Sequence, residues 1–195
     1  MARARGLLIA VDGVNGAAMR AAAAAELQAV ARGRRGGVSV WDASGVFGDL
    51  VVADEEAGRP SARTLLLLYA ADLAFRLRWE IRPAIEEGRT VAAAPYVATA
   101  VAFGRAAGLP GGWLKNLFTF APKPDAVRVV DAAPPRKPEA ASFVDFGCEQ
   151  LSANGDGPTR RQLAERARAH LTRSALPRST RTAAAPRPRH RGRRR

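Results

Sequence analysis

The sequence predicts one α/β domain built on a parallel sheet, and three observations carry that reading. Short apolar runs alternate with longer segments whose apolar residues recur every three or four positions, the pattern of buried strands joined through helices. The chain has 195 residues, enough for one such core plus an extension. The net charge of +13 is concentrated at one end, because residues 160–195 hold thirteen arginines against the single acid Glu165. The preceding residues are close to neutral, so the basic character says little about what the folded body binds.

Residues 6–11 (GLLIAV) form a short, wholly apolar strand that runs into a Gly-rich turn at 12–16. A helix is expected over 17–32, stopped by Gly33, and a second strand over 38–41 (VSVW). Over 61–87 the positions Leu66, Ala70, Leu73, Leu77, Ile81 and Ile85 keep a helical period up to Gly88. Pro83 lies inside that run and removes one backbone bond, which predicts a kink. A third strand is expected over 90–94, helices over 98–107 and 112–119, a fourth strand over 126–131 and a fifth over 142–146. Thr159 and Gln162 have capping-box spacing and open a last helix with Leu163, Ala167 and Leu171 on one face. These elements predict a domain over 1–175, and a disordered Arg-rich tail over 176–195 that lacks apolar anchors.

The composition also excludes several classes. The longest apolar run, 65–71, is far short of the roughly 20 residues that span a bilayer, so no membrane insertion is expected. The single cysteine, Cys148, cannot form an internal disulfide, and no secretory pattern occupies residues 1–20, which together predict a cytoplasmic setting. His170 and His190 lack carboxylate or cysteine neighbours at ligand spacing, so no metal site is expected. The tail could contact nucleic-acid phosphates without sequence preference, but it has no aromatic residue for base stacking.

A strand feeding a Gly-rich turn and a helix is the setting of a phosphate-binding loop. Three further segments give that turn a specific context: 65–91 (LLLLYAADLAFRLRWEIRPAIEEGRTV), 95–103 (PYVATAVAF) and 113–131 (WLKNLFTFAPKPDAVRVVD). Together with the turn they resemble, in order and spacing, the corresponding blocks of thymidylate kinases, over residues 6–131. The resemblance implies a P-loop nucleoside-monophosphate-kinase-like fold with about five parallel strands and helices on both faces. The implied activity is transfer of the γ-phosphoryl of ATP to dTMP with magnesium.

Residue by residue, the resembled site is eroded. The family's first loop reads like FEGxDGxGK[ST], and the matching stretch here runs from Val11 to Arg20. Gly13 and Gly16 match, Asp12 shortens a glutamate, and Asn15 replaces an aspartate. Ala18 stands for the second motif glycine, Met19 for the lysine and Arg20 for the magnesium-binding hydroxyl residue. A thioether cannot donate to an oxyanion, and an arginine places a cation where a metal ion should sit. The DR[YF] block, which implies an organising aspartate and a phosphate-clamping arginine, reads Ala94 and Pro95 followed by a retained Tyr96. Leu73 stands where the resemblance implies an arginine facing the base. In the turn after the second strand, Asp42 takes an arginine position and Gly45 remains. Arg136 and Lys137 lie in the lid region without a lid pattern.

Tyr69 and Phe103 keep aromatics that the resemblance places at the acceptor base. The resulting expectation is a pseudo-kinase, a thymidylate-kinase-like chain with a binding or regulatory role and no cofactor. It would act through a protein partner or as a homodimer, with nucleotide binding weak or absent. The alternative is an active dTMP kinase, using ATP and magnesium, whose phosphate site is rebuilt from Arg20, Arg63 and the lid-region pair.

Overall fold

A computed structural model describes residues 5–49, 58–137, 142–152 and 157–175. Strands β1 (Leu8–Gly13), β2 (Arg35–Val40), β3 (Thr90–Ala94) and β4 (Ala126–Val130) form one sheet in the order β2-β3-β1-β4. Every pairing is parallel, with Leu8 opposite Val91 on one edge of β1 and Ile9 opposite Ala126 on the other. All residues of β1 and β3 are buried, which is why both read as unbroken apolar runs.

Alternate residues of these strands face two different cores. Ile9, Val11, Ala92 and Ala94 meet α1 (Gly16–Gln28) through Met19, Ala23 and Leu27. Leu8, Ala10, Val91 and Ala93 face the larger core on the other side. That core is supplied by α2 (Ala62–Arg76), α4 (Val97–Ala106), α5 (Gly111–Leu117), α6 (Phe143–Ser152) and α7 (Arg160–Ala175).

The irregularity expected at Pro83 is present and is absorbed by a π turn, Leu77–Ile81, between α2 and the short α3 (Arg82–Glu86). The wider turn lets Pro83 occupy the start of α3, where its missing N–H costs little. Gly88 then closes the run with φ +81°, its N–H bonded to the Ile85 carbonyl at 2.9 Å and that of Arg89 to the Ala84 carbonyl at 2.8 Å.

Some expected boundaries are corrected. Helix α1 ends at Gln28, before Gly33, and Gly33 falls in a 3-10 turn, Arg32–Arg34. Arg35 takes over the stop signal, its guanidinium donating to the Gln28 carbonyl at 2.7 Å and the Val30 carbonyl at 2.8 Å. β2 therefore begins at Arg35 instead of 38. The fifth strand expected over 142–146 is helical and belongs to α6, so the described residues hold four strands. Phe143, Val144, Gly147 and Cys148 are buried at helical spacing, a period that a five-residue window is too short to display.

The capping box of α7 forms as expected: Thr159 N donates to Gln162 Oε1 at 2.9 Å and Gln162 N to Thr159 Oγ1 at 3.3 Å. Leu163, Ala167 and Leu171 are buried in the main core. The arginines of α7 thus belong to the folded body. Arg168 pairs with Asp131 at 2.7 Å, and Arg160 pairs with Asp145 and reaches the Arg136 carbonyl at 2.9 Å. The tail expected over 176–195 lies outside the described residues. Among the described residues, no helix is long and apolar enough to cross a membrane.

Candidate functional site

β1 ends at Gly13 and α1 begins at Gly16, which leaves only Val14 and Asn15 between them. Alanines at 17 and 18 favour helix over loop, so the helix starts inside the motif that would otherwise wrap a phosphate. Asn15 caps it: Oδ1 accepts from Ala18 N at 2.9 Å, and Nδ2 donates to the Ala133 carbonyl at 3.0 Å. Met19 N bonds back to the Asn15 carbonyl at 3.0 Å, and Gly13 N donates to Thr99 Oγ1 at 3.1 Å. Amide groups at the head of α1 that a phosphate would need are thereby satisfied by the chain itself.

Met19 is 1 % exposed and lies among Ile9, Val11 and Leu27 in the smaller core. Its Cγ is 3.0 Å from the point where a Cβ on Gly13 would stand, so it packs under the turn. Arg20, one residue on, is half-buried on the same helix.

Asp12 is buried at the end of β1, and its Oδ1 accepts three hydrogen bonds: from Tyr96 N at 3.0 Å, Thr99 N at 2.9 Å and Thr99 Oγ1 at 2.8 Å. Tyr96, the N-cap of α4, supplies no side-chain cap of its own, so Asp12 caps that helix from across the fold. Burial pushes the Asp12 carboxyl above its ordinary range, against the opposing pull of the bonds from Thr99 and Tyr96.

The positions that the resemblance assigns to the acceptor are equally occupied. Ala94 is buried at the end of β3, and the carbonyl of Pro95 accepts from Arg76 Nη1 at 3.0 Å. Tyr96 is buried, its OH donating to the Pro122 carbonyl at 2.7 Å, and burial pushes that phenol up to about 12. Tyr69 donates its OH to the Tyr96 carbonyl at 2.9 Å and has no exposed surface, while Leu73 continues the buried stripe of α2. Phe103 is 1 % exposed.

Between Tyr69 and Phe103 stands Phe143 of α6, with ring centroids 4.4 Å from Tyr69 and 5.2 Å from Phe103. Trp41 and Phe47 close the cluster, each 5.9 Å from Phe143. A Cβ on Gly147 would stand 2.7 Å from the Phe103 ring, so that glycine is what allows α6 to approach so closely. The two aromatics expected at a base are faced by the chain's own ring.

The residue that sequence reasoning missed is Arg76. Its side chain is wholly buried, donating from Nε to Asp72 Oδ2 at 2.9 Å and from Nη2 to Tyr69 Oη at 3.3 Å. Asp72 Oδ1 also accepts from Ser44 N at 3.1 Å and Ser44 Oγ at 3.0 Å. The signal was present in the i,i+4 spacing of Asp72 and Arg76 on the buried side of α2. Asp42 adopts φ +58° and its Oδ1 accepts from Phe47 N at 3.0 Å, so it shapes the turn that delivers Phe47 to the cluster. Gly45 shares that turn at φ +76°.

Arg136 and Lys137 are exposed, and the Arg63 guanidinium sits 5.7 Å from the centre of the Trp113 ring. Cys148 is buried, its thiol pushed up to about 12 by desolvation and then by Asp145. Among the described residues, no group of three His, Cys, Asp or Glu is placed to hold a metal ion.

No protein-family model matches the chain. It is similar to curated proteins named thymidylate kinase. One from Xanthomonas oryzae pv. oryzae (strain PXO99A) is 32 % identical over 154 residues, covering 78 % of this chain and 63 % of that protein. One from Xanthomonas campestris pv. campestris (strain B100) is 30 % identical over the same shares. A Pyrococcus abyssi protein named "Probable thymidylate kinase" is 36 % identical over 76 residues, 39 % of this chain and 37 % of its own. The chain thus spans just under two thirds of the length of the Xanthomonas relatives. With its parallel four-stranded sheet flanked by helices, and with similarity running over most of its length, the chain is a thymidylate-kinase-like family member.

Proposed function

We propose that this chain does not transfer phosphoryl groups and acts instead by binding a protein. The single observation that carries the reading is Phe143, seated against Tyr69 and Phe103 where the family resemblance places the acceptor base. The phosphate side supports it. The side chain at the lysine position is a methionine held in the core, and amides at the head of α1 are already bonded.

Loss of one preorganised donor to a developing charge costs about 10²- to 10³-fold in turnover. The lysine and the acceptor-clamping arginine are absent together, so even with non-additivity turnover falls on the order of 10⁴-fold or more. The residues present do not fit ATP with magnesium, since Met19 and Arg20 replace the phosphate-binding ammonium and the metal-binding hydroxyl. No cofactor is required by this reading. The lone buried Cys148 fits a reducing, cytoplasmic setting.

The partner surface in this reading is the outer side of α2, where Leu67 is 53 % exposed and Phe75 39 %, with Trp79 62 % exposed in the π turn that continues it. These positions follow one another at multiples of four residues and form a stripe suited to a second helix, and a second copy of the chain is the occupant proposed.

The test is a coupled assay with ATP, dTMP and magnesium, paired with calorimetric titration of ATP with and without the metal. The expected result is no turnover above background and no ATP binding. Turnover within about tenfold of an ordinary enzyme rate of ~10 s⁻¹ would overturn the proposal. If Arg20→Ala then abolished that turnover, the rebuilt-site kinase would replace it.

A further inference from the structure

A cavity of about 570 Å³ opens among the described residues, and its lining includes Asp12, Tyr96 and Phe118, whose ring centroid is 6.1 Å from that of Tyr69. It opens between α4, the 118–124 connection, β4 and α7. On α4 it is lined by Val97, Ala98, Val101, Ala102 and Arg105, one face of the helix, while Phe103 points from the opposite face into the aromatic cluster. It adjoins the candidate site through Asp12 and Tyr96 and extends from there to residues which that site does not use, among them Val101, Arg105, Lys123 and Val127.

Its walls are apolar and its charged edge is cationic. Val101 and Phe118 are among its apolar lining residues, alanines at 10, 98, 102 and 121 leave the volume open, and the exposed Arg105 and Lys123 supply its cationic side chains. The single carboxylate in the lining, Asp12, has its Oδ1 committed to three donors of α4. Neither Arg105 nor Lys123 has a hydrogen bond or ion pair to another described residue. Arg105 is nevertheless positioned: its guanidinium fills the place where a side chain on Gly111 would begin, with Nη2 2.0 Å from that ideal Cβ. Only glycine at 111 permits this. Desolvation, and then the charges of Arg173 and Arg105, disfavour protonation of the His170 imidazole, so the cationic side chains of the lining are Arg105 and Lys123.

The geometry points to a binding site for a small organic anion with an apolar body, its carboxylate or phosphate between Arg105 and Lys123 and its body against Val101 and Phe118. The volume suits a ligand of ordinary metabolite size. The unpaired cations of the lining select the sign of the head group, and the alanine-lined interior accepts a flat or unbranched body.

The experiment titrates the full-length protein with two anion and neutral pairs that share a body, 1-naphthyl phosphate with 1-naphthol and octanoate with octanol. It follows affinity by calorimetry and location by backbone amide shifts. Saturable binding of at least one anion is expected, with shifts on α4 and α7 and at least tenfold weaker binding of its neutral counterpart. Which anion binds more tightly separates a phosphate ester from a carboxylate as the head group. Arg105→Gln is expected to weaken binding about tenfold. Val127→Phe, at a position 62 % exposed that also lines the cavity, is expected to block it without lowering the melting temperature. Equal binding of anion and neutral molecule, absence of saturable binding, or unchanged affinity in Val127→Phe overturns the proposal.

Discussion

Phe143 and Tyr69 meet with ring centroids 4.4 Å apart and planes inclined at 45°, joining α6 to α2. Both side chains have no exposed surface. Phe143→Ala is expected to lower stability by about 3–5 kcal/mol, from lost burial and the cavity left behind. It should also gain weak thymidine binding in the vacated space. Urea unfolding reads the first effect and calorimetry the second; a loss under about 1 kcal/mol would show that α6 does not hold this position.

Met19 tests whether the lysine position faces a ligand or the core. Met19→Lys should destabilise the fold by several kcal/mol, because an ammonium replaces a side chain packed with Ile9, Val11 and Leu27. It should restore no kinase activity. Met19→Leu, which preserves volume, should cost less than about 1.5 kcal/mol. A stable, active lysine variant would place residue 19 outside the core.

Asp12 gives a prediction with a defined sign. Its folded pKa is raised, so between its ordinary pKa and the raised value the folded state holds a proton that the unfolded state has released. Its contribution to stability is therefore greatest below the ordinary carboxylate range and is lost as pH rises through the folded pKa. Asp12→Asn should flatten that fall while keeping an oxygen for the Thr99 and Tyr96 donors. Asp12→Ala should cost about 1–3 kcal/mol for each donor left unpaired. Unfolding curves across pH 4 to about 8 distinguish the two.

Arg76 and Asp72 form a wholly buried pair, so removing one partner strands the other's charge. Arg76→Met should destabilise by about 3–5 kcal/mol, and the double variant Asp72→Leu with Arg76→Met should recover most of that loss. A double-mutant cycle with no coupling would refute the pairing.

The stripe on the outer side of α2 predicts self-association. Trp79→Glu, at a position 62 % exposed, should leave the melting temperature within a few degrees and convert a dimer to a monomer in sedimentation velocity. A monomeric parent protein would remove the second copy as the occupant.

Elements whose period fits within a dozen residues were legible in the sequence. β3 appeared with its observed bounds, the buried stripe of α2 was recognisable from Leu66 to Leu77, and the Thr159 and Gln162 pair formed the bonds its spacing implied. What was not legible depends on segments far apart in the chain. Phe143 looked like part of a strand because its short window hides a helical period, and nothing local says that its ring meets Tyr69 and Phe103. Arg76 looked like one more basic residue on a long helix. Its burial depends on the Pro95 carbonyl and the Tyr69 hydroxyl, which only the packed fold brings to it. The residue types at 18, 19, 20, 94 and 95 were visible as chemistry, whereas the early start of α1 depends on the Asn15 cap and the anchoring of Gly13 N depends on Thr99, 86 positions away.

Asp12 accepts from backbone groups 84 and 87 positions further along the chain. β1 leaves the ribosome before the segment that bonds its acid, and it also waits for β3 and β4 to cover both of its edges. A nascent chain halted before Thr99 would keep that carboxylate hydrated and the strand unburied. The order of synthesis therefore keeps β1 from completing its bonds until β3, α4 and β4 have been made.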